Sequence, residues 1–131
     1  VSHMGRLIIT GTDAASFLNS VFTGEAAGLP AGRARYGFLL NEQGGIIDDV
    51  VVYRLDQERY LLICNASNRE EVMAWFPRWT SNYSSVSVED FTMSTVLIAV
   101  QGPDAAQVLD ALSSISPSSF LVGWSITAVL N

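Results

Sequence analysis

Asn41-Glu42-Gln43-Gly44-Gly45-Ile46-Ile47-Asp48-Asp49-Val50-Val51-Val52-Tyr53 decides how the rest of the chain is read. Its first five residues carry turn chemistry, because glycine takes positive φ without steric cost and asparagine bonds its own backbone. Ile46 to Val52 is then almost wholly β-branched, which favours a strand. Two adjacent aspartates interrupt that apolar run. Neighbouring side chains on a strand point to opposite faces. Asp49 therefore shares one face with Ile47, Val51 and Tyr53, and Asp48 shares the other with Ile46, Val50 and Val52. A carboxylate among apolar neighbours costs free energy unless it is paired or hydrogen-bonded. Either aspartate can meet that need by bonding backbone nearby, or it can be held for use in a site. Asp48 is expected to take the first role. For Asp49 both readings stay open on the residues alone.

Working outward, strands flank this stretch on both sides. Arg35 to Leu40 runs into the turn, and Tyr60 to Cys64 follows a polar turn at residues 56–59, so three strands predict an antiparallel meander. On the third, Leu61, Ile63 and Asn65 share a face. Before the meander lie a β-run at Leu7–Thr10, a break at Gly11, a cap from Thr12 or Asp13, and a helix over 13–21. Ala14, Phe17, Leu18 and Val21 give that helix one apolar face. Residues 23–33 read as a loop. After the meander, Asn68 is expected to cap a helix over 69–76, with Glu70 and Glu71 suited to its first turn. Pro77 should end or kink it, which would take Trp79 off the apolar stripe. Val86–Phe91 alternates as a strand.

The first unit then returns. Leu97–Val100 is a β-run, Gln101–Asp104 a break, and Ala105, Val108, Leu109 and Leu112 repeat the apolar spacing over 104–112. Ile-Thr-Gly-Thr-Asp-Ala-Ala and Val-Gln-Gly-Pro-Asp-Ala-Ala align without gaps, an internal strand–turn–helix repeat over 7–21 and 97–112. A serine-rich loop over 113–119 and a final strand over 120–130 complete the reading. The order predicts an α+β fold, an antiparallel sheet with packed helices.

Composition excludes several functions. A net charge of −6 argues against a nucleic-acid backbone as partner. No apolar run approaches the ~20 residues of a membrane span. Cys64 and His3 are each the only residue of their kind, so no Cys/His metal site is expected. All 7 basic residues are arginine. Schiff-base or Walker-type lysine chemistry is therefore absent from this sequence.

Asn-Glu-x-Gly-Gly-Ile-x-Asp-Asp with its Val-Val-Tyr strand resembles the glycine cleavage T-protein family of tetrahydrofolate-dependent aminomethyltransferases. Further similar segments are Gly-x-Asp-Ala-x-x-Phe-Leu at 11–18, Tyr60–Asn68 and Ile98–Pro103. Val1-Ser2-His3-Met4-Gly5 resembles the family's Val-Ser-His-Met-Gly, although Ser-His-Met is also a cloning scar. The resemblance implies the N-terminal folate-binding region of a longer chain, truncated at both ends. It implies tetrahydrofolate as co-substrate, no metal, and lipoylated H-protein as partner, with neither nucleic acid nor membrane involved. The compartment would be the bacterial cytoplasm or the mitochondrial matrix. By resemblance Asp49 is the catalytic carboxylate, and Met4, Tyr36, Val51, Tyr53 and Asn65 line the folate. Arg33, Arg35 and Arg54 are expected to be solvated. Thr23-Gly24-Glu25 departs from the family's Thr-Asn-Asp. Two other folate-linked classes share the resemblance: dimethylglycine or sarcosine dehydrogenases, and folate-binding proteins of iron–sulfur cluster maintenance.

Overall fold

The structure is a computed structural model that describes residues 1–112. The loop and strand expected over 113–130 lie outside the described residues. Contacts divide the chain into a unit Ser2–Val96 and a second unit that begins at Leu97.

In the first unit, strands β1 (Gly5–Thr10), β2 (Ala34–Leu40), β3 (Ile46–Arg54), β4 (Arg59–Cys64) and β5 (Ser87–Asp90) form one sheet in the order β2-β3-β4-β1-β5. Every neighbouring pair is antiparallel. Helices α1 (Ala14–Val21), α2 (Arg69–Trp75) and α3 (Pro77–Thr80) pack with it. The predicted meander is β2-β3-β4, and β1 inserts between its last strand and β5.

One face of the sheet makes the core. Leu7 and Ile9 of β1, Leu39 of β2, Val50 and Val52 of β3, and Tyr60, Leu62 and Cys64 of β4 alternate toward it. Phe17, Leu18, Val72, Trp75 and Phe76 close it from the helices. Phe17 and Phe76 meet edge to face at 5.3 Å, a geometry aromatic quadrupoles favour. Burying side chains of this size contributes about 1.5–3 kcal/mol each. The aromatic residues of α1 and α2 are thus committed to the core.

The hairpin turn forms as its residues predict. Gly44 has φ 80°, and the Asn41 Oδ1 accepts hydrogen bonds from the backbone N–H groups of Gln43 and Gly45 at 3.0 and 2.8 Å. Strict alternation fails just beyond it. Leu40 pairs with Ile46 but Leu39 pairs with Asp48, so Ile47 is the extra residue of a β-bulge. Ile46 is consequently 64% exposed, and Ile47 packs against the core. This reverses the faces expected for that pair. Asp48 onward keeps the predicted alternation.

Both predicted N-cap positions, Asp13 and Asn68, form, but neither side chain caps its helix. The Asp13 carboxylate accepts from the backbone N–H groups of Ser84 and Ser85, and Asn68 reaches Asp48 instead. Pro77 does end α2, but the chain re-enters a helical turn with proline in its first turn, where its missing N–H costs nothing. Trp79 therefore returns to the core edge, 5.7 Å from the Trp75 ring, contrary to expectation.

Arg54 also departs from its expected solvated role. Its guanidinium donates to the carbonyls of Ala27, Leu29, Asp56 and Gln57 and lies 5.6 Å from the Tyr60 ring centroid, tying the 23–33 loop to the sheet. Arg33 and Arg35 are exposed.

In the second unit, the turn and helix of the repeat recur. Gly11 and Gly102 both have φ 121°, and each carbonyl accepts from the N–H three residues on, Ala14 at 3.0 Å and Ala105 at 3.2 Å. Helix α4 (Ala105–Leu112) follows. The expected strand at 97–100 is not formed. β1 has ladders on both sides.

Candidate functional site

The sheet face opposite the core carries the candidate site. Strand register sets it out in rows. Tyr36, Val51, Ile63 and Arg6 are successive cross-strand partners, as are Ala34, Tyr53, Leu61 and Ile8. Phe38 and Asp49 begin the next row. Asn65 directly follows β4 with extended backbone, φ −65° and ψ 142°, so it continues the alternation beside Asp49. Met4 directly precedes β1, at the same end of the sheet. All six residues singled out from the sequence, Met4, Tyr36, Asp49, Val51, Tyr53 and Asn65, thus belong to this face or its rim.

The adjacent aspartates have opposite fates. Asp48 is 2% exposed and its carboxylate is hydrogen-bonded throughout. Oδ2 accepts from the Asn65 backbone N–H at 2.8 Å. Oδ1 accepts from the Asn65 and Asn68 side-chain amides at 2.8 and 2.7 Å. Asp48 therefore fastens the 65–68 turn to β3, the structural role expected of it. Buried polar groups satisfied in this way stabilise a fold, and each becomes costly once a partner is removed.

Asp49 is exposed. Asn65 donates from its side-chain amide to Oδ1 at 2.8 Å, and the Tyr36 hydroxyl donates to Oδ2 at 3.1 Å. One asparagine thus bridges both carboxylates. A carboxylate offers about four acceptor positions. With one bond on each oxygen, Asp49 is held in orientation and keeps acceptor capacity toward solvent. Tyr36 is 48% exposed and stands edge-on to Phe38 at 5.6 Å. Loss of hydration raises the Tyr36 hydroxyl above its ordinary pKa, as do its bond to Asp49 and the negative charges of Asp49 and Asp48. It stays a neutral donor at physiological pH. The face presents one oriented anion, a hydroxyl and an amide among aromatic and branched apolar side chains.

Asp49 and Tyr36 stand exposed on this face, whereas Leu61, Ile63 and Arg6 of its rows are buried. Clefts of about 310 and 270 Å³ lie elsewhere, one between the hairpin tip and Glu71, Trp75 and Arg78, the other between α2–α3 and β5. Neither includes any of the six residues.

Two contributors were not found from the sequence. Asn68 reads as a cap from the sequence, and Arg6 lies just before the β-run at Leu7–Thr10. A charge directly beside the apolar run Leu7–Ile9 is itself a signal, since it needs partners once buried. Its guanidinium partners are Ser2 and Met4 close by and Thr92 and Thr95, 86 and 89 residues away along the chain.

An antiparallel sheet with helices on its core face and an aspartate-centred polar cluster on the other defines an α+β domain with a candidate site on one sheet face. Residues 1–130 match the family described as the GCVT N-terminal domain, and the chain belongs to that family. It is 38% identical over 125 residues to the aminomethyltransferase of Thermotoga petrophila, covering 92% of this chain and 34% of the relative. It is 39% identical over 118 residues to the aminomethyltransferase of Thermus thermophilus, covering 90% and 34%. Among solved structures, glycine cleavage system aminomethyltransferase T from Bartonella henselae superposes with a TM-score of 0.79 at 36% identity, over 85% of this chain and 30% of that one. The chain spans about a third of the length of these proteins.

Proposed function

We propose that this chain is the folate-binding portion of a tetrahydrofolate-dependent aminomethyltransferase of the glycine cleavage system. In this reading, an aminomethyl group on the lipoyl arm of H-protein gives its methylene to tetrahydrofolate, and ammonia and the reduced lipoyl thiol are released. The observation that carries the reading is the exposed Asp49 carboxylate, oriented by Tyr36 and Asn65 on a face of aromatic and apolar side chains. That chemistry suits a flat heteroaromatic ring with N–H donors on one edge. Asp49 binds such an edge and counters positive charge at its nitrogen, an electrostatic contribution of the kind enzymes use most. Val51 and Tyr53 give the ring apolar surface, and Met4 stands at the rim. Asn65 holds Asp49 in place and links it to the buried Asp48.

Support for the whole activity comes from the names of relatives about three times as long. The test therefore uses the full-length polypeptide, assayed for methylene-tetrahydrofolate and ammonia from aminomethylated H-protein. Asp49→Asn is expected to keep tetrahydrofolate affinity within roughly tenfold and to lower kcat by ~10²-fold or more. Asp48→Asn is expected to destabilise by ~1–3 kcal/mol, because an amide donor then faces the amides of Asn65 and Asn68. Its kcat per folded molecule should fall much less. Equal kcat losses from the two changes would contradict the separation of roles.

A further inference from the structure

This face holds a buried charged group that the reading above does not use. Arg6 lies in β1, in the row of Tyr36, Val51 and Ile63, and is only 4% exposed. No carboxylate lies within ion-pair distance of it among the described residues. Its charge is met entirely by neutral oxygens. Nη1 donates to the carbonyls of Ser2 and Met4 at 2.9 and 2.7 Å. Nε donates to the Thr95 hydroxyl at 2.8 Å, and Nη2 donates to the carbonyls of Thr92 and Thr95. A guanidinium has five N–H donors in a fixed planar fork. All five are used, on two segments far apart in sequence.

The backbone of Arg6 completes the arrangement. Its N–H donates to the Thr92 hydroxyl at 2.9 Å, and its carbonyl accepts from the Phe91 N–H at 2.8 Å. The two captured segments are the lead-in to β1 and the turn after β5. Neither is a strand, so neither is held by a ladder of its own. Arg6 is the tie between them.

We infer that Arg6 is a positioning residue: it pins Met4 and the 92–95 turn at the rim of the Asp49 face and so sets the shape of that wall. The inference rests on the proposed function for what the wall receives. The bonds themselves do not depend on it. Lysine cannot substitute, because an ammonium has three donors and no planar fork. Glutamine fits the space with two donors and no charge. Either change frees the Met4 carbonyl or the 92–95 carbonyls, leaving the core face untouched.

The test has two readouts. Methionine methyl groups labelled with ¹³C give three lines, from Met4, Met73 and Met93. Met73 packs against the core and reports folding, while Met93 is 87% exposed and marks the free position. In Arg6→Gln and Arg6→Lys the Met4 line is expected to move toward the Met93 position while the Met73 line stays. In the full-length polypeptide, KM for tetrahydrofolate is expected to rise at least about tenfold with kcat within about threefold. That split would not follow from a loss of folded protein, which lowers apparent kcat at unchanged KM. A Met4 line that stays put in both variants overturns the clamp. A moved line with unchanged KM overturns its role at the site. An unsubstituted full-length protein with no tetrahydrofolate-dependent transfer contradicts the proposed function instead, and the methyl lines still decide the clamp.

Discussion

At the scale of single residues, one step along β3 separates a structural carboxylate from a usable one. Asp48 and Asp49 have the same chemistry and share Asn65, and strand alternation alone sends one into the core and the other to solvent. The same alternation isolates Cys64. It is fully buried at the sheet's core face. Burial pushes its thiol up to about 11, and the nearby negative charges of Asp48 and Asp90 add to this against the opposing Arg69. A raised pKa means the fold favours the protonated thiol. That stabilisation is complete below the thiol's unfolded pKa of ~8.5 and is lost as pH rises through about 11. Cys64 is therefore expected to resist a thiol reagent such as iodoacetamide in the native protein at pH 8. In denaturant it should react fully within the same interval. Rapid native labelling, followed by mass spectrometry, would contradict this placement.

At the scale of elements, the turn between β1 and α1 has the most exacting requirement. Gly11 has φ 121°, a region closed to residues with a Cβ, and an added Cβ would overlap the carbonyl oxygen of Ser85. Gly11→Ala should cost ~2 kcal/mol or more and lower Tm by at least about 5 °C. Gly102→Ala, with the same φ and nothing near its Cβ among the described residues, should cost less. An equal loss at both positions, read by thermal melts, would show that backbone strain alone governs the turn. What could be read from the sequence follows the same physics. Helices α1 and α4 and the β2–β3 hairpin are specified by spacing and turn residues within a few positions, so they were legible. The Ile47 bulge depends on how β3 pairs with β2, and no local pattern of apolar residues reports it. Asp13 and Asn68 take the N-cap positions the sequence predicts, but distant partners compete with the helix end for their side chains.

At the scale of the whole molecule, the sheet divides its labour between faces. The core face carries the aromatic packing that makes the domain stable, and the opposite face carries the anion and the aromatic rim. The grouping of Asp49, Val51 and Tyr53 was legible from alternation. Tyr36, Met4 and Asn65 joined them only through resemblance, since cross-strand register does not show in a linear pattern. A binding site ordinarily encloses most of a ligand of this size. One wall leaves a ring half solvated, and immobilisation takes most of the energy such a contact provides. The 131-residue chain is therefore expected to bind tetrahydrofolate weakly and still to bind it in the right place.

Titration of the ¹⁵N-labelled chain with tetrahydrofolate, followed by amide shifts, tests that claim most directly. The account predicts a dissociation constant weaker than roughly 100 μM. Shifts should concentrate at Tyr36, Asp49, Val51, Tyr53 and Asn65, and core positions such as Leu62 and Val72 should remain still. Binding in the low micromolar range would show a complete site where a single wall is described, and shifts centred away from Asp49 would contradict the assignment of the face.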